Sequence, residues 1–265
     1  YNSCLATTGQ KNTAVGSTTM SANVGGSYNV AVGWQALNGI ISNDNCTAIG
    51  TWALRANTAA ANTAVGNSSQ AANTSGQNNC SFGSSSLATN ISTGSNCAFG
   101  TNSLGANIAN ANSAFGFESL KLNTTAVGCS AFGASALAAN LTTASNSAFG
   151  FETLKANIGA QNSAFGSGAL TTNTSGTGLA AFGYNALNLN LTSGNSSAFG
   201  HLALQNNTGT GSSAFGKNAL SANTSASSNN AFGLSALGSV LTNGSNCAFG
   251  NNSLTLNTAS GNSAF

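Results

Sequence analysis

The sequence predicts an all-β fold, a parallel β-solenoid, and three observations lead to that prediction. Glycine recurs through the 265 residues at intervals of 16 or 17, from Gly16 to Gly250. A large apolar residue always precedes this glycine, and alanine stands before that residue in nearly every copy. A repeat of this length is too short for two packed helices, and its Gly, Asn, Ser and Thr favour short strands broken by turns. We therefore expect sixteen stacked coils, each made of one repeat.

The intervals between these glycines form a second, longer repeat. They run 17, 17 and 16 residues and then start again, so that three coils make a 50-residue unit. The pattern begins and ends within a coil, and we expect residues 1–265 to be one continuous array and part of a longer one. A lateral contact with another chain would account for the 50-residue unit, and so would duplication of an ancestral segment.

A coil runs from one repeating glycine, which is position 0, to the residue before the next. Positive positions count forward from the glycine that begins the coil, and negative positions count back from the glycine that follows it. Position −1 is large and apolar and position +4 is Leu in thirteen coils, so both are predicted to point into the core. The core residues expected on this basis are Phe82, Phe99, Phe115, Phe132, Phe149, Phe165, Phe182, Phe199, Leu87, Leu104, Leu120 and Leu137. Position +8, aliphatic or Thr, is predicted to be a weaker third core column. Alanine at position −2 is expected to face outward, where it would provide a flat contact surface or a tight turn.

Asparagine recurs at positions −4 and +7, and these two columns are predicted to form ladders of stacked amides. Asparagine tolerates left-handed backbone at turns, and a column of identical amides can hydrogen-bond along the solenoid axis. The expected ladder at position +7 includes Asn73, Asn90, Asn107, Asn123 and Asn140. A ladder in every coil is too uniform for a ligand-reading site.

Two kinds of covalent modification are suggested by the sequence. Cys80 and Cys97 occupy position −3 of consecutive coils, and the strand spacing of about 4.8 Å lies within the Cα range of a disulfide. Small inward packing residues are the alternative for the cysteines. Candidate glycosylation sites of the form Asn-x-Ser/Thr are Asn45, Asn73, Asn90, Asn123, Asn140, Asn173, Asn190 and Asn223. Only an outward amide at these positions would be able to carry a glycan.

Composition argues against several classes of function. Charged residues make up 3% of the chain, and its five Lys and Arg residues are scattered singly, which is unlike a nucleic-acid-binding surface. No apolar run approaches the roughly 18 residues of a membrane helix. One Asp, two Glu and one His are too few to assemble an acid, a base and an orienting group, so we expect no enzyme, no cofactor and no metal site. Glu118 with Lys121 and Glu152 with Lys155 are expected to be surface pairs.

The repeat resembles a known family of fibrous sequences. Asn-Thr-Ala-Val-Gly at 12–16 and 62–66, with Gly33-Trp34-Gln35-Ala36-Leu37, is similar to the shaft repeats of tail-fibre-like proteins of phages, large viruses and bacteria. The Ala-Phe-Gly form is also similar to the head repeats of trimeric autotransporter adhesins. The resemblance covers the whole chain and implies a β-structured shaft located outside the cell or on a virion or cell surface. The longer coil, the many Phe residues and the strict 50-residue unit depart from that family.

Three functions follow as hypotheses. The first is a structural extracellular fibre whose partner is the chain itself, with glycans as a further partner. The second is the shaft of an adhesin or viral tail fibre that presents a receptor-binding tip. The third is an ice-binding solenoid, which needs a flat, regular Thr column facing water. Position +1, expected to be exposed, is irregular in sequence, and that irregularity argues against ice binding.

Overall fold

A computed structural model describes residues 8–240 and 242–265 and confirms the predicted fold class. Contacts divide the chain into two compact units, Tyr1–Ala131 and Phe132–Phe265, and each is a parallel β-solenoid. The described residues contain no helix, and hence no helix long and apolar enough to cross a membrane.

Each coil contributes one short strand, and all but β16 end at position −1, directly before the repeating glycine. The strands are β1 Thr13–Val15, β2 Val30–Val32, β3 Thr47–Ile49, β4 Thr63–Val65, β5 Cys80–Phe82, β6 Cys97–Phe99, β7 Ser113–Phe115, β8 Ser130–Phe132, β9 Ser147–Phe149, β10 Ser163–Phe165, β11 Ala180–Phe182, β12 Ser197–Phe199, β13 Ser213–Phe215, β14 Asn230–Phe232, β15 Cys247–Phe249 and β16 Ser263–Ala264. Within the first unit β1 to β7 pair in chain order, and within the second unit β9 to β16 do the same.

The pairing is parallel and keeps identical positions of successive coils side by side. Phe82 is the partner of Phe99, and Phe165 is the partner of Phe182. Backbone hydrogen bonds continue this register beyond the strands, as in the 2.7 Å bond that Gly100 N–H donates to Phe82 O. A constant register brings every repeated residue type into a column along the solenoid axis.

The segment after each glycine folds into successive β-turns rather than a second strand. In the coil that starts at Gly116, the N–H groups of Ser119, Lys121 and Asn123 each donate to the carbonyl three residues earlier, at 3.3, 3.3 and 3.1 Å. Glu118 and Leu120 have φ values of 56° and 49°, in the left-handed region that L residues rarely adopt. These turns direct the Leu side chain at position +4 into the core.

Leucine at position +4 and alanine at position −2 form the apolar core. The predicted core residues Leu87, Leu104, Leu120 and Leu137 are fully buried. The alanine column was expected to face outward, and that expectation is wrong, because residues such as Ala148 and Ala164 have no exposed surface. Alternation along the strand therefore puts position −2 inside and positions −3 and −1 outside.

The phenylalanine column was expected inside the core, and the structure places it on the outer face instead. The eight rings concerned, together with others in the column, are half-buried or exposed: Phe82, Phe99, Phe115, Phe132, Phe149, Phe165, Phe182 and Phe199. From Phe132 to Phe249 neighbouring centroids lie 4.5 to 4.8 Å apart, with ring planes within 9° of parallel. Each ring is shielded by its neighbours in the column, so its burial comes from stacking and not from the interior.

The column at position +8 also faces solvent, which corrects the expectation of a third core column. Ile91, Ile108 and Ile158 are about half exposed, and Leu141 and Leu191 are similar. Leu241 lies outside the described residues. The interior is already filled by Leu, Ala and asparagine side chains, so these aliphatic residues have no place within it.

Candidate functional site: the amide ladders and the outer face

Where asparagine occupies position −4, as in most coils, it ties its coil to the neighbouring coils through both ends of its amide. Asn162 Oδ1 accepts from the backbone N–H of Leu179 in the next coil at 3.0 Å, and Asn162 Nδ2 donates to Gly176 O of that coil at 2.8 Å. The N–H of Asn162 itself donates to Asn146 Oδ1 in the preceding coil at 2.9 Å. The position −4 column is therefore an axial ladder of side-chain-to-backbone bonds.

Asparagine at position +7 forms a second ladder in which side-chain amides bond directly to one another. Asn173 Nδ2 donates to Asn157 Oδ1 at 2.7 Å, and Asn190 Nδ2 donates to Asn173 Oδ1 at 3.1 Å. Asn173 also closes its own turn, donating to Gly176 O at 2.9 Å and accepting from Gly176 N–H at 3.0 Å. All four hydrogen-bonding positions of this fully buried amide are satisfied, which compensates for its desolvation.

The two ladders are joined to each other. Asn162 Nδ2 lies 3.0 Å from Asn157 Oδ1, so the position −4 amide donates to the position +7 amide of its own coil. Asn112 and Asn107 repeat this contact at 3.2 Å in the first unit. All five asparagines of the expected ladder at position +7 are buried: Asn73, Asn90, Asn107, Asn123 and Asn140.

The 16-residue coils are one residue shorter than the others in the turn that follows position +7. In 17-residue coils the asparagine amide reaches the carbonyl three residues ahead, as Asn173 reaches Gly176. In 16-residue coils it reaches the carbonyl two residues ahead, as Asn157 reaches Gly159 at 2.6 Å and Asn107 reaches Ala109 at 2.7 Å. The same amide closes both turns, so the columns stay in register and the coil accommodates the shorter length internally.

Seven of the eight candidate glycosylation sites lie in this buried ladder, which corrects the prediction for them. Asn73, Asn90, Asn123, Asn140, Asn173, Asn190 and Asn223 have no exposed surface, and their amides lie inside the solenoid. A glycan on any of them would require the coil to open. Asn45 is exposed, since it lies at position −5 on a left-handed corner with φ of 61°, and it stays a candidate.

Two departures from the repeat, separated by eleven residues, contact each other in the core. Gln70 replaces the usual Leu and Ser81 replaces the usual Ala, and Gln70 Nε2 donates to Ser81 Oγ at 2.8 Å. Gln70 Nε2 also donates to Thr63 O at 2.8 Å, while Ser81 bonds to Ser69. Gln70 Oε1 is buried without a partner, so this coil carries a polar core that is incompletely satisfied. The sequence showed both exceptions but gave no sign that they meet.

Cys80 and Cys97 lie side by side at position −3 on the partly exposed outer face. They are register partners in β5 and β6, and the structure carries them as free thiols. Burial raises the pKa of the Cys80 thiol, and the neighbouring Cys97 raises it further. Burial also raises the pKa of the Cys46 thiol, which takes the place of asparagine at position −4. The disulfide between Cys80 and Cys97 stays a prediction.

We expect alkylation of Cys80 in the folded chain to be slow at pH 8 and to keep accelerating above pH 9.0, the ordinary value for a thiol. Peptide mapping after timed iodoacetamide treatment measures the rate. Because the pKa of Cys80 is raised in the folded chain, the unfolded chain ionises first, so this group leaves stability unchanged well below pH 9.0 and lowers it as the pH rises through and above that value. Cys97→Ser removes the neighbouring thiol and should accelerate alkylation of Cys80; an unchanged rate would contradict this explanation.

Peptide mapping without reductant, after incubation with oxidised glutathione, tests the disulfide between Cys80 and Cys97.

Charged groups are few, and those described lie at the surface. Lys121 Nζ lies 2.7 Å from Glu118 Oε1, and Lys155 Nζ lies 2.6 Å from Glu152 Oε1, each within one turn. Exposed pairs of this kind contribute about 0–1 kcal/mol. Among residues 8–240 and 242–265 there is no cavity and no cluster of three His, Cys, Asp or Glu side chains.

Comparisons of the chain with protein-family models, with curated proteins and with solved structures found no match. The resemblance to tail-fibre shafts and adhesin heads stays an expectation from the sequence. The most regular features of the described residues are the two joined amide ladders and the outer aromatic column.

Proposed function

We propose that the chain is a structural component of an extracellular fibre, built by stacking of its coils and by association with further copies of itself. The observation that carries the proposal is the pair of joined amide ladders, which bonds most coils to the next through buried side chains. Their donors and acceptors point along the axis, so the same contact can be repeated coil after coil. Such a framework suits a load-bearing element better than a discrete ligand site.

The low charge of the chain agrees with this role. With 3% charged residues and a formal net charge of +2, copies of the chain repel one another weakly, and lateral association is not opposed by electrostatics. The exposed columns then determine how copies meet, and position −1 on the outside of the strands is large and apolar in every coil.

Cryo-electron microscopy of the native material tests the proposal. We expect long filaments of uniform width without a terminal knob, with an axial repeat near the three-coil spacing of about 14 Å. Short objects of fixed length that end in a knob, or that are rooted on a virion or cell surface, would replace the fibre by the shaft of an adhesin or tail fibre.

One observation favours ice binding as a second candidate. Position +8, which the sequence placed in the core, faces solvent and holds only Thr or aliphatic residues in the described coils. Its threonine hydroxyls are engaged by the backbone, as in the 2.7 Å bond from Thr174 Oγ1 to Leu191 O, which leaves their methyl groups as the outward feature. Thermal hysteresis of a purified sample measures this activity, and its absence at millimolar concentration would remove the candidate.

A further inference from the structure

The outer face of the second unit is a continuous uncharged surface with a strict period. We define the Phe face as the outward residues of β9 to β15, at positions −3 and −1 of each strand. Position −1 is Phe in all seven strands, and position −3 is Ser, Ala, Asn or Cys. No strand of this face carries a charge, so it offers no electrostatic attraction to nucleic acid or to a charged protein.

The way the rings stack limits what the Phe face can bind. Phe149, Phe165 and Phe182 lie face to face along the axis, with centroids 4.5 and 4.7 Å apart and planes within 9°. Both faces of each ring are therefore covered by neighbouring rings, and only the ring edges reach solvent. A sugar or a planar ligand stacks on an exposed ring face, which this column does not provide.

The exposed area of the Phe face matches what association of two chains requires. Phe165 is 36% exposed and Phe249 is 40% exposed, so a side chain of about 200 Å² leaves about 70 Å² uncovered. The other rings of the face are no more exposed than these, so the seven residues together present at most about 500 Å² of apolar surface, within the range of the largest patch on a protein without a partner. Phe151, Tyr184 and Leu234, exposed at the neighbouring position +1, bring the exposed apolar area to at most about 800 Å², which is the usual contribution of each partner to a stable interface.

The period of the face identifies the partner. Ridges of ring edges recur at each coil, about every 4.7 Å, and an opposing surface packs closely only if it repeats at the same spacing. A second copy of this chain has that spacing because it is built from the same coils. It also presents the same patch, which allows a two-fold symmetric contact in which each copy uses its own Phe face.

We propose that the Phe face, β9 to β15, packs against the Phe face of a second copy of the chain. This inference rests on the proposed self-associating fibre and specifies the surface that it uses. The two sheets meet through interdigitated ring edges at a face-to-face separation of about 10 Å, while the small residues at position −3 allow the close approach. The charged Lys217 lies outside the Phe face, in the position +1 column between Tyr184 and Leu234, and its exposed side chain can stay in water.

Sedimentation velocity of the full chain over a concentration series tests the inference. The variant Ser163→Lys with Ser197→Lys places two charges on the Phe face without altering any ring. Its matched control is Ser175→Lys with Thr192→Lys, which adds the same charge at exposed turn positions. We expect the face variant to weaken self-association at least tenfold and the control to change it less than about twofold, with circular dichroism showing that both are folded.

Hydroxyl-radical footprinting of the unmodified chain provides a second measurement that needs no variant. Phe165, Phe215 and Phe249 should become protected when the chain associates, while Ile158 and Leu191 at position +8 should react as in the monomer. If the face variant and the control variant weaken self-association equally, or if position +8 becomes protected instead of the rings, the Phe face is not the interface. The fibre proposal would then remain intact. A chain that stays monomeric throughout the series would overturn both.

Discussion

Gly183→Ala should unfold the coils around it, with a loss of about 4 kcal/mol in the free energy of unfolding. Gly183 has φ of 140°, a conformation that costs an L residue about 1–3 kcal/mol. A methyl group there would lie 2.4 Å from Gly200 O and 2.6 Å from Gly200 C in the next coil, which are backbone atoms that cannot move aside. Overpacking of this kind adds a further 1–3 kcal/mol. Urea unfolding followed by circular dichroism measures the loss.

Gly211→Ala is the matched control for this substitution. Gly211 has φ of 66°, and an added methyl group would meet no atom within 4 Å, so only the backbone conformation is penalised. We expect a loss of about 1 kcal/mol, since non-glycine residues such as Ala111 already occupy the same left-handed corner at position −5. Equal losses in the two variants would show that the close approach of coils at position 0 is not what requires glycine.

Asn173→Asp should destabilise the chain by about 3–5 kcal/mol at pH 7 and by much less at pH 3. The substitution keeps the shape of the side chain but removes the two N–H donors that serve Asn157 Oδ1 and Gly176 O. A carboxyl in that fully buried position must keep its proton to donate to either acceptor, so its pKa in the folded chain is raised. Thermal unfolding at a series of pH values measures the effect.

The sign of the pH dependence follows from that raised pKa. Below about pH 3.9 the new carboxyl is neutral in both states, and above it the unfolded chain ionises first, which lowers the stability of the fold as the pH rises. The unmodified chain has only one Asp and two Glu residues, so its own stability should vary little over this range. Asn195→Asp introduces the same charge at an exposed position and should cost less than about 0.5 kcal/mol at either pH. A loss at position 173 that is constant with pH would show that the new carboxyl reaches solvent.

The sequence indicated the stacking of the asparagine amides more reliably than it indicated which apolar columns face inward. Asparagine at two fixed positions of most coils indicated axial ladders, because a stack in constant register brings identical amides within hydrogen-bonding distance. The bond between Asn162 and Asn157, which joins the ladders, depends on how the coil folds between positions +7 and −4. The contact of Gln70 with Ser81 depends on the same path of the chain, and no repeat pattern reports it.

The sequence by itself determined the period, the parallel stacking, the register and the columns of this protein, because each follows from spacing alone. Only the tertiary structure decided which columns face inward. Alternation along a strand requires Ala164 and Phe165 to face opposite sides but does not say which side is the interior. Three left-handed corners in each coil enclose a narrow interior that Leu, Ala and paired asparagines fill, so the phenylalanine rings stack outside. Two of those corners fall at position +4 and the outward position +2, usually on non-glycine residues, and local propensity does not predict such corners.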